Sequence, residues 1–279
     1  MTRIPEKLFG IIGHPLGHTL SPALHNWGFA QFQLPAVYMA FPLPPERLAD
    51  FLTAFRTLPM QGASVTIPHK EAVMPLLDEV APRARTVGAV NTLYWKGERL
   101  IGENTDVAGF LAPLRAVRAP LRRVLVLGAG GAARAVLAGL TECADELGVE
   151  QVLLTNRSPE RACALAAPFG TQVVPWEART QTGANVLVNC TPLGMAGDNE
   201  AQTPWPAASF GPQGGLAYDL VYNPLRTRFL REAQAAGWQT LDGLHMFVAQ
   251  GVAQFRLWTG CELAADAARE RMLGVLTGL

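Results

Sequence analysis

The sequence has no excess charge of either sign and no uninterrupted hydrophobic run long enough to span a membrane. Its 279 residues include 23 lysines and arginines and 23 aspartates and glutamates. No global electrostatic field therefore favours nucleic acid or an anionic membrane surface as a partner. The mostly apolar residues 124–140 are interrupted by glycines and by Arg134, which argues against a membrane span. The first residues also lack the apolar segment of a signal peptide, so we expect a cytoplasmic protein.

Cysteine is also scarce, and no pattern of metal ligands is present. The four cysteines lack the spacing of a metal site and are expected to be reduced thiols. His14, His18 and His25 have no nearby carboxylate or thiolate to complete a ligand set, so no metal is predicted.

The most informative segment is an apolar, β-branched run at residues 123–127, followed by a glycine-rich turn and an alanine-rich stretch. This order of strand, turn and helix is what a dinucleotide-binding βα unit requires. Gly128 allows the tight turn, Gly130 lets the backbone approach a pyrophosphate, and Gly131 keeps the helix close to the sheet. The helix N-terminus directs N–H groups towards the phosphates. The segment therefore predicts a Rossmann-type dinucleotide site.

The next predicted strand, residues 151–155, ends in Asn156 and Arg157 rather than in an acidic residue. A site for NAD is expected to place a carboxylate there, where it accepts hydrogen bonds from the ribose hydroxyls. An amide and a guanidinium instead suit the 2′-phosphate of NADP, because arginine binds phosphate through charge-assisted hydrogen bonds. NADP is therefore the predicted cofactor.

Strand-like and helix-like segments alternate in both halves of the chain, which predicts the α/β class with largely parallel sheets. The predicted strands are residues 8–13, 37–41, 62–67, 124–127, 152–155, 172–174, 186–189 and 217–221, with a hairpin over 89–101. The predicted helices are residues 22–32 with Ser21 as N-cap, 45–58, 69–80 and 106–117, with two more after about residue 244.

This alternation predicts an N-terminal α/β substrate domain, residues 1–118, followed by a Rossmann-type dinucleotide-binding domain, residues 119–243. The C-terminal helices, residues 244–279, are expected to pack back on the substrate domain.

Small polar residues gather at predicted loops and strand ends of the first half, where parallel sheets bind ligands. They are Thr19, Ser21, Ser64, Thr66, Asn91, Asn104, Thr105 and Asp106. Each alone is explained as a cap or turn residue, but together they suit a ligand rich in hydroxyls. Lys70 is either an exposed partner of Glu71 or, paired with Asp106, a proton donor and acceptor beside a reacting carbon. The spacing leaves both possibilities open.

Several separated motifs stand in order along nearly the whole chain. They are residues 17–22, 65–70, 89–93, 102–106, 128–132, 156–158 with Arg161, 189–192, 218–222, and 242–244 leading to Gln250. In order and spacing they resemble the motifs of the shikimate dehydrogenase family.

The resemblance implies an oxidoreductase acting on a CH–OH group, which reduces 3-dehydroshikimate to shikimate reversibly with NADPH in aromatic amino-acid biosynthesis. By matching position, Lys70 would be the acid/base group, Asp106 its partner, and Thr19 and Ser21 the groups that hold the substrate carboxylate. The implied substrate contacts are Thr19, Ser21, Thr66, Lys70, Asn91, Asp106, Tyr222 and Gln250. The implied NADP contacts are Gly128, Ala129, Gly130, Gly131, Ala132, Asn156, Arg157, Ser158, Arg161, Leu220 and Gly243.

Two positions depart from the family pattern on the substrate side. Thr19 stands where the family usually has serine, and Ser64 where asparagine is common, so a preference for shikimate, quinate or an amino analogue is left open. The alternatives are a quinate/shikimate dehydrogenase paralogue of broader specificity and a non-catalytic ligand sensor on the same fold. Retention of Lys70 and Asp106 argues against the sensor. Either a monomer or a homodimer is compatible with the sequence.

Overall fold

The computed structural model describes residues 4–17, 19–117 and 120–278. The strands are β1 Lys7–Gly13, β2 Ala36–Pro42, β3 Met60–Val65, β4 Glu79–Val80, β5 Thr92–Lys96, β6 Arg99–Glu103, β7 Arg123–Leu127, β8 Gln151–Thr155, β9 Gln172–Val173, β10 Val186–Asn189, β11 Leu216–Asp219 and β12 Gln239–Leu241. The α-helices are α1 Ser21–Gln31, α2 Leu48–Thr57, α3 His69–Ala72, α4 Pro82–Val87, α5 Asp106–Leu114, α6 Gly131–Glu142, α7 Ala144–Leu147, α8 Pro159–Ala166, α9 Arg228–Ala235, α10 Gly243–Thr259 and α11 Ala265–Thr277. Within these described residues no helix is long and apolar enough to cross a membrane.

The chain divides into two compact units. Unit 1 comprises residues 1–105 and 248–279, and unit 2 comprises residues 106–247. The predicted junction at residues 118 and 119 lies outside the described residues, as does His18 of the first motif. Unit 2 begins at Asp106 and ends at Phe247.

Unit 1 is built on a mixed sheet in the order β2-β1-β3-β5-β6-β4. Strand β1 pairs in parallel with β2 and β3, whereas β5 is antiparallel to both β3 and β6. The predicted hairpin accounts for the antiparallel part: β5 and β6 join through Gly97, whose φ of 62° suits a glycine in a tight turn. The sheet is therefore less uniformly parallel than its alternating sequence pattern indicates.

The prediction of one helix over residues 69–80 is wrong. Helix α3 has only four residues, and a 3₁₀ turn at Met74–Leu76 and strand β4 follow it. Pro75 lacks an amide proton and disfavours the α conformation of the residue before it, so an apolar periodicity alone does not extend the helix.

The C-terminal helices complete the core of unit 1. Phe255 of α10 packs against Phe29 of α1, with ring centroids 5.5 Å apart, and Leu263 belongs to the same apolar cluster. Gly28 permits this packing, because a Cβ at residue 28 would lie 2.7 Å from the Phe255 ring. The expectation that these helices return to the N-terminal α/β domain is confirmed.

Unit 2 contains a parallel sheet in the order β12-β11-β10-β7-β8-β9. Counted from β7 in chain order, this is the 3-2-1-4-5-6 arrangement of the Rossmann fold, and the order reverses between β7 and β10. The residues of β10 and β11 are all buried, as expected for strands covered on both faces. Strand β12 was not predicted, because its three residues are polar or partly exposed and carry no hydrophobic signal.

Candidate active site

The polar residues of unit 1 lie at one edge of its sheet. Thr66 directly follows β3, Asn91 precedes the antiparallel β5, and Thr105 follows β6. The register pairs Ser64 with Thr92, and Thr92 with Glu103, so these strand ends are neighbours. Strands β3 and β6 run in the same direction on either side of β5, and carboxyl ends of strands such as theirs form ligand sites in α/β proteins.

Asn91 and Thr105 form the centre of this edge. Asn91 Nδ2 donates to Thr105 Oγ1 at 3.0 Å, and Asn91 Oδ1 accepts from the Thr105 amide at 2.8 Å. Thr92 Oγ1 also donates to Asn91 Oδ1, at 2.7 Å. All three side chains are buried, and the amide of Asn91 is consequently held in one orientation.

Ser64 takes part in a second buried chain of hydrogen bonds. Tyr38 Oη donates to Ser64 Oγ at 2.7 Å, and Ser64 Oγ donates to Gln254 Oε1 at 2.8 Å. Gln254 Nε2 in turn donates to Thr92 Oγ1 at 3.0 Å and to the Asn91 carbonyl at 3.1 Å. The hydroxyl of Ser64 therefore supports Asn91 from within the protein. Sequence inspection missed Tyr38 and Gln254, since neither stands in a recognisable motif.

Thr19 and Ser21 lie together at the start of α1. Thr19 Oγ1 donates to Ser21 Oγ at 3.3 Å, so the two hydroxyls are adjacent. Ser21 is the first residue of α1 and Leu20 is its N-cap, which corrects the predicted cap. The backbone of Leu20 is already in the right-handed helical region, with φ −84° and ψ −7°, so the helix begins one residue earlier than predicted.

Lys70 lies in the short helix α3 and is half-buried. Its carbonyl accepts a 2.8 Å hydrogen bond from the amide of Val90, the residue before Asn91. A cation is disfavoured at the N-terminus of a long helix, because the helix dipole is positive there. Helix α3 has only four residues, so its dipole is too small to disfavour the Lys70 ammonium. Asp106, a buried residue, follows Thr105 directly and begins α5. A continuous path of bonded groups thus leads from Lys70 through Asn91 to the residue before Asp106.

His25 lies among aromatic side chains in the core of unit 1. It is fully buried, and its ring stacks on Tyr38 at 4.6 Å and meets Trp258 at 4.9 Å. Neither ring nitrogen has a hydrogen-bond partner among the residues that the structure describes. Burial lowers the pKa of His25 to about 3. Nowhere in the described ranges do three histidines, cysteines or carboxylates meet as a metal site.

In unit 2 the glycine turn lies where the strand order reverses. Gly128 has a φ of 106°, and a Cβ there would lie 2.8 Å from Thr191 Cγ2. Gly130, the N-cap of the twelve-residue α6, has no atom within 4 Å of the position of a Cβ. Ala129 and Ala132 are half-buried. The turn thus presents the backbone N–H groups of a helix N-terminus beside open space, which fits a pyrophosphate.

Two cationic side chains lie between the end of β8 and the first turn of α8. Asn156, rather than a carboxylate, directly follows the strand, where a site for NAD would bind the ribose. Arg157 and Arg161 are exposed, and Ser158 caps α8 by accepting from the Arg161 amide at 3.4 Å. Asn156 Nδ2 donates to the Ser158 carbonyl at 3.0 Å and so fixes this turn. The arrangement fits a phosphate beside the ribose.

The remaining predicted residues lie at the ends of β11 and in α10. Gly243 packs against Leu220, since a Cβ on Gly243 would lie 2.5 Å from the Leu220 carbonyl oxygen. Tyr222 is half-buried against Phe247, with ring centroids 5.1 Å apart. Gln250 lies on α10 and is also half-buried.

Comparison with known proteins agrees with these features. The chain matches the family model described as the shikimate dehydrogenase substrate binding domain over residues 11–93, and the shikimate 5′-dehydrogenase C-terminal domain over residues 243–273. It is 57% identical over 268 residues to shikimate dehydrogenase (NADP(+)) of Oleidesulfovibrio alaskensis, covering 96% of this chain and 95% of the relative.

Solved structures are also similar. Shikimate 5-dehydrogenase of Thermus thermophilus, in complex with NADP(H) and shikimate, has a TM-score of 0.85 and 43% identity, covering 95% of this chain and 98% of that one. Quinate dehydrogenase of Corynebacterium glutamicum, in complex with NAD, has a TM-score of 0.87 and 32% identity, covering 97% and 99%. With a relative 57% identical across nearly all of both chains, this protein belongs to the shikimate dehydrogenase family.

Proposed function

We propose that the chain catalyses the reversible NADPH-dependent reduction of 3-dehydroshikimate to shikimate in aromatic amino-acid biosynthesis. Its family is one of NADP-dependent oxidoreductases that act on a CH–OH group. The observation that carries the proposal is the hydroxyl- and amide-rich edge of the unit 1 sheet, centred on Asn91 and Thr105. Such an edge suits a ring that bears several hydroxyls.

In this proposal Thr19 and Ser21 bind the substrate carboxylate, with Tyr222 as a further contact. The ring hydroxyls are bound by Thr66, Lys70, Asn91, Asp106 and Gln250. The adjacent hydroxyls of Thr19 and Ser21 support the first assignment, because a carboxylate accepts hydrogen bonds from two neighbouring donors.

Lys70 is the acid/base group and Asp106 its partner. When bound, NADPH supplies a hydride to the carbonyl carbon of 3-dehydroshikimate. The Lys70 ammonium donates a proton to the oxygen of that carbon as it becomes an alkoxide, and shikimate oxidation returns the proton to Lys70. The carboxylate of Asp106 orients Lys70 and binds the adjacent hydroxyl.

NADP is bound by the glycine turn and the end of β8. Gly128, Ala129, Gly130, Gly131 and Ala132 receive the pyrophosphate, while Leu220 and Gly243 lie beside the nicotinamide. Asn156, Arg157, Ser158 and Arg161 bind the 2′-phosphate of the adenosine ribose, which is supported by the exposure of Arg157 and Arg161 near the N-terminus of α8.

Replacing Arg157 by Asp tests the cofactor assignment. Each charge-assisted hydrogen bond contributes about 1.5–3 kcal/mol, so kcat/KM for NADP should fall by about 10- to 100-fold. The value for NAD should change little. Arg122→Asp is the matched control, because Arg122 is an exposed arginine of unit 2 before β7. A wild-type enzyme without preference for NADP over NAD would contradict the assignment.

A broader quinate/shikimate dehydrogenase is the second candidate, favoured by the similarity to a quinate dehydrogenase structure. Quinate carries an additional hydroxyl at the carboxylate-bearing carbon, and the methyl group of Thr19 narrows the pocket there. We expect kcat/KM to be higher with shikimate than with quinate, and Thr19→Ser to reduce that preference. Equal or better kcat/KM with quinate in the wild type would favour the second candidate.

The ligand-sensor alternative is tested by the same assay, since a sensor would form no NADPH from shikimate and NADP. We further propose a cytoplasmic monomer or homodimer that binds no nucleic acid, in keeping with its zero formal net charge.

A further inference from the structure

A buried carboxylate lies beneath the proposed cofactor turn, at the end of β11. Asp219 Oδ1 accepts from Asn189 Nδ2 at 2.9 Å and from the Val221 amide at 3.0 Å, and Oδ2 accepts from Thr227 Oγ1 at 2.6 Å. Asp219, Asn189 and Thr227 have no exposed surface. The proposed function gives this cluster no role.

The first branch of the cluster leads to Gly128. Asn189 Oδ1 accepts hydrogen bonds from the Thr191 amide at 2.9 Å and from Thr191 Oγ1 at 2.7 Å. These bonds fix the rotamer of Thr191 and direct its methyl group at Gly128, where a Cβ would lie only 2.8 Å away. The Thr191 side chain, which Asn189 holds in place, therefore lies against one side of the glycine turn and restricts its conformation.

The second branch leads to Leu220. The Leu220 amide donates to the Asn189 carbonyl at 3.0 Å, and the next amide, that of Val221, donates to Asp219. Gly243 packs on the Leu220 carbonyl. The pyrophosphate turn is thus linked to Asp219 through Asn189 and Thr191, and the segment that contains Leu220 is linked to it through the Val221 amide.

A buried carboxylate is costly to the fold, and burial raises the pKa of Asp219 to about 7 despite its three donors. The neighbouring titratable group is Cys190, whose thiol pKa burial raises, so it brings no compensating charge. Apolar packing would join β10 to β11 at lower cost. All three donors lie at the ends of these strands or in the segments that follow them. The carboxylate therefore fixes the geometry of those segments.

We propose that Asp219 is a positioning residue for the dinucleotide, which acts through Asn189 and Thr191 to hold the Gly128 turn and Leu220 in the binding geometry. The inference rests on the proposed function, in which this turn receives NADP.

The experiment compares two asparagines at opposite ends of β10. Asn189→Ala removes the link between Asp219 and Thr191. Asn185→Ala is the matched control, because Asn185 also accepts from a backbone amide, that of Arg123 at 2.9 Å, and donates to a carbonyl, that of Pro120 at 2.6 Å. Asp219→Asn and Asp219→Ala complete the set. The dissociation constant of NADPH is measured by fluorescence titration, KM for shikimate and for NADP by steady-state kinetics, and unfolding by heating.

Asn189→Ala and Asp219→Ala are expected to weaken NADPH binding and raise KM for NADP by about tenfold, with KM for shikimate nearly unchanged. Asp219→Asn keeps one acceptor oxygen and should show a smaller loss. Should Asp219→Ala not fold, Thr227→Val removes one donor to Asp219 together with the N-cap of α9 and should still raise KM for NADP above that of Asn185→Ala.

Equal rises in KM for both substrates, or NADPH binding by Asn189→Ala as tight as by Asn185→Ala, would overturn the positioning role. Failure of the wild-type protein to bind NADPH would instead overturn the proposed function.

Discussion

Replacing Lys70 by Met is expected to lower kcat by about 10²–10⁴-fold while the dissociation constant of shikimate changes little. The substitution keeps most of the length of the side chain and removes its ammonium group, so the alkoxide formed by hydride transfer loses its donor. Steady-state kinetics give kcat, and tryptophan fluorescence titration gives shikimate affinity. Asp106→Asn should also lower kcat, with a larger part of the loss in substrate binding, because Asp106 is assigned a ring hydroxyl.

Lys96→Met is the matched control, since Lys96 is an exposed lysine of unit 1 at the end of β5 and should retain wild-type kinetics. In Lys70→Ala, added primary amines should restore part of kcat, which a purely structural role would not permit. A Lys70→Met enzyme with near-normal kcat and only a raised KM would reduce Lys70 to a binding residue.

The second large effect concerns stability in acid. The pKa of His25 is about 3 in the fold, compared with 6.5 for an ordinary histidine, so the unfolded chain binds a proton that the folded protein excludes. The stabilisation is complete above pH 6.5 and is lost as the pH falls towards 3. At about 1.4 kcal/mol for each pH unit, the free energy of unfolding should fall by about 3 kcal/mol between pH 6.5 and pH 4.

His25→Phe keeps an aromatic ring beside Tyr38 and Trp258 but cannot titrate, so it should lose this part of the pH dependence. Urea unfolding at pH 7, 5.5 and 4 measures the difference from wild type. His14→Phe alters an exposed histidine and should keep the wild-type dependence. If His25→Phe and wild type lost stability in parallel, the neutral buried imidazole would not be its source.

The sequence predicts the strand β7, the glycine turn and the start of α6 because their signals are local: β-branched residues, Gly128 with its positive φ, and alanines after Gly130. It also predicts the βα alternation of both units. It fails for residues 69–80, where Pro75 outweighs apolar periodicity, and for β12, whose residues Gln239–Leu241 pair through backbone groups and leave no hydrophobic pattern.

The candidate site divides in the same way. Residues in short motifs, such as Lys70, Asn91 and Arg157, are recognisable because their neighbours in sequence are also their neighbours in space. Tyr38 and Gln254 are not, because they bond to Ser64 across 26 and 190 residues of sequence. Asp219 lies in the motif at residues 218–222. Its proposed positioning role cannot be recognised from that motif, because it depends on the parallel pairing of β10 and β11, which brings Asn189 beside Asp219.

The divided sequence of unit 1 has a consequence for synthesis on the ribosome. Gln254 bonds to Ser64 and Trp258 to the Leu93 carbonyl, so the interior of unit 1 needs residues that are translated after all of residues 106–247. At about 5–20 residues per second, the wait is on the order of ten seconds. During that time the apolar surface around Phe9, Phe29 and Tyr38 lacks Phe255 and remains open to chaperones and proteases. By the time Phe255 is translated, unit 2 already has its whole sequence.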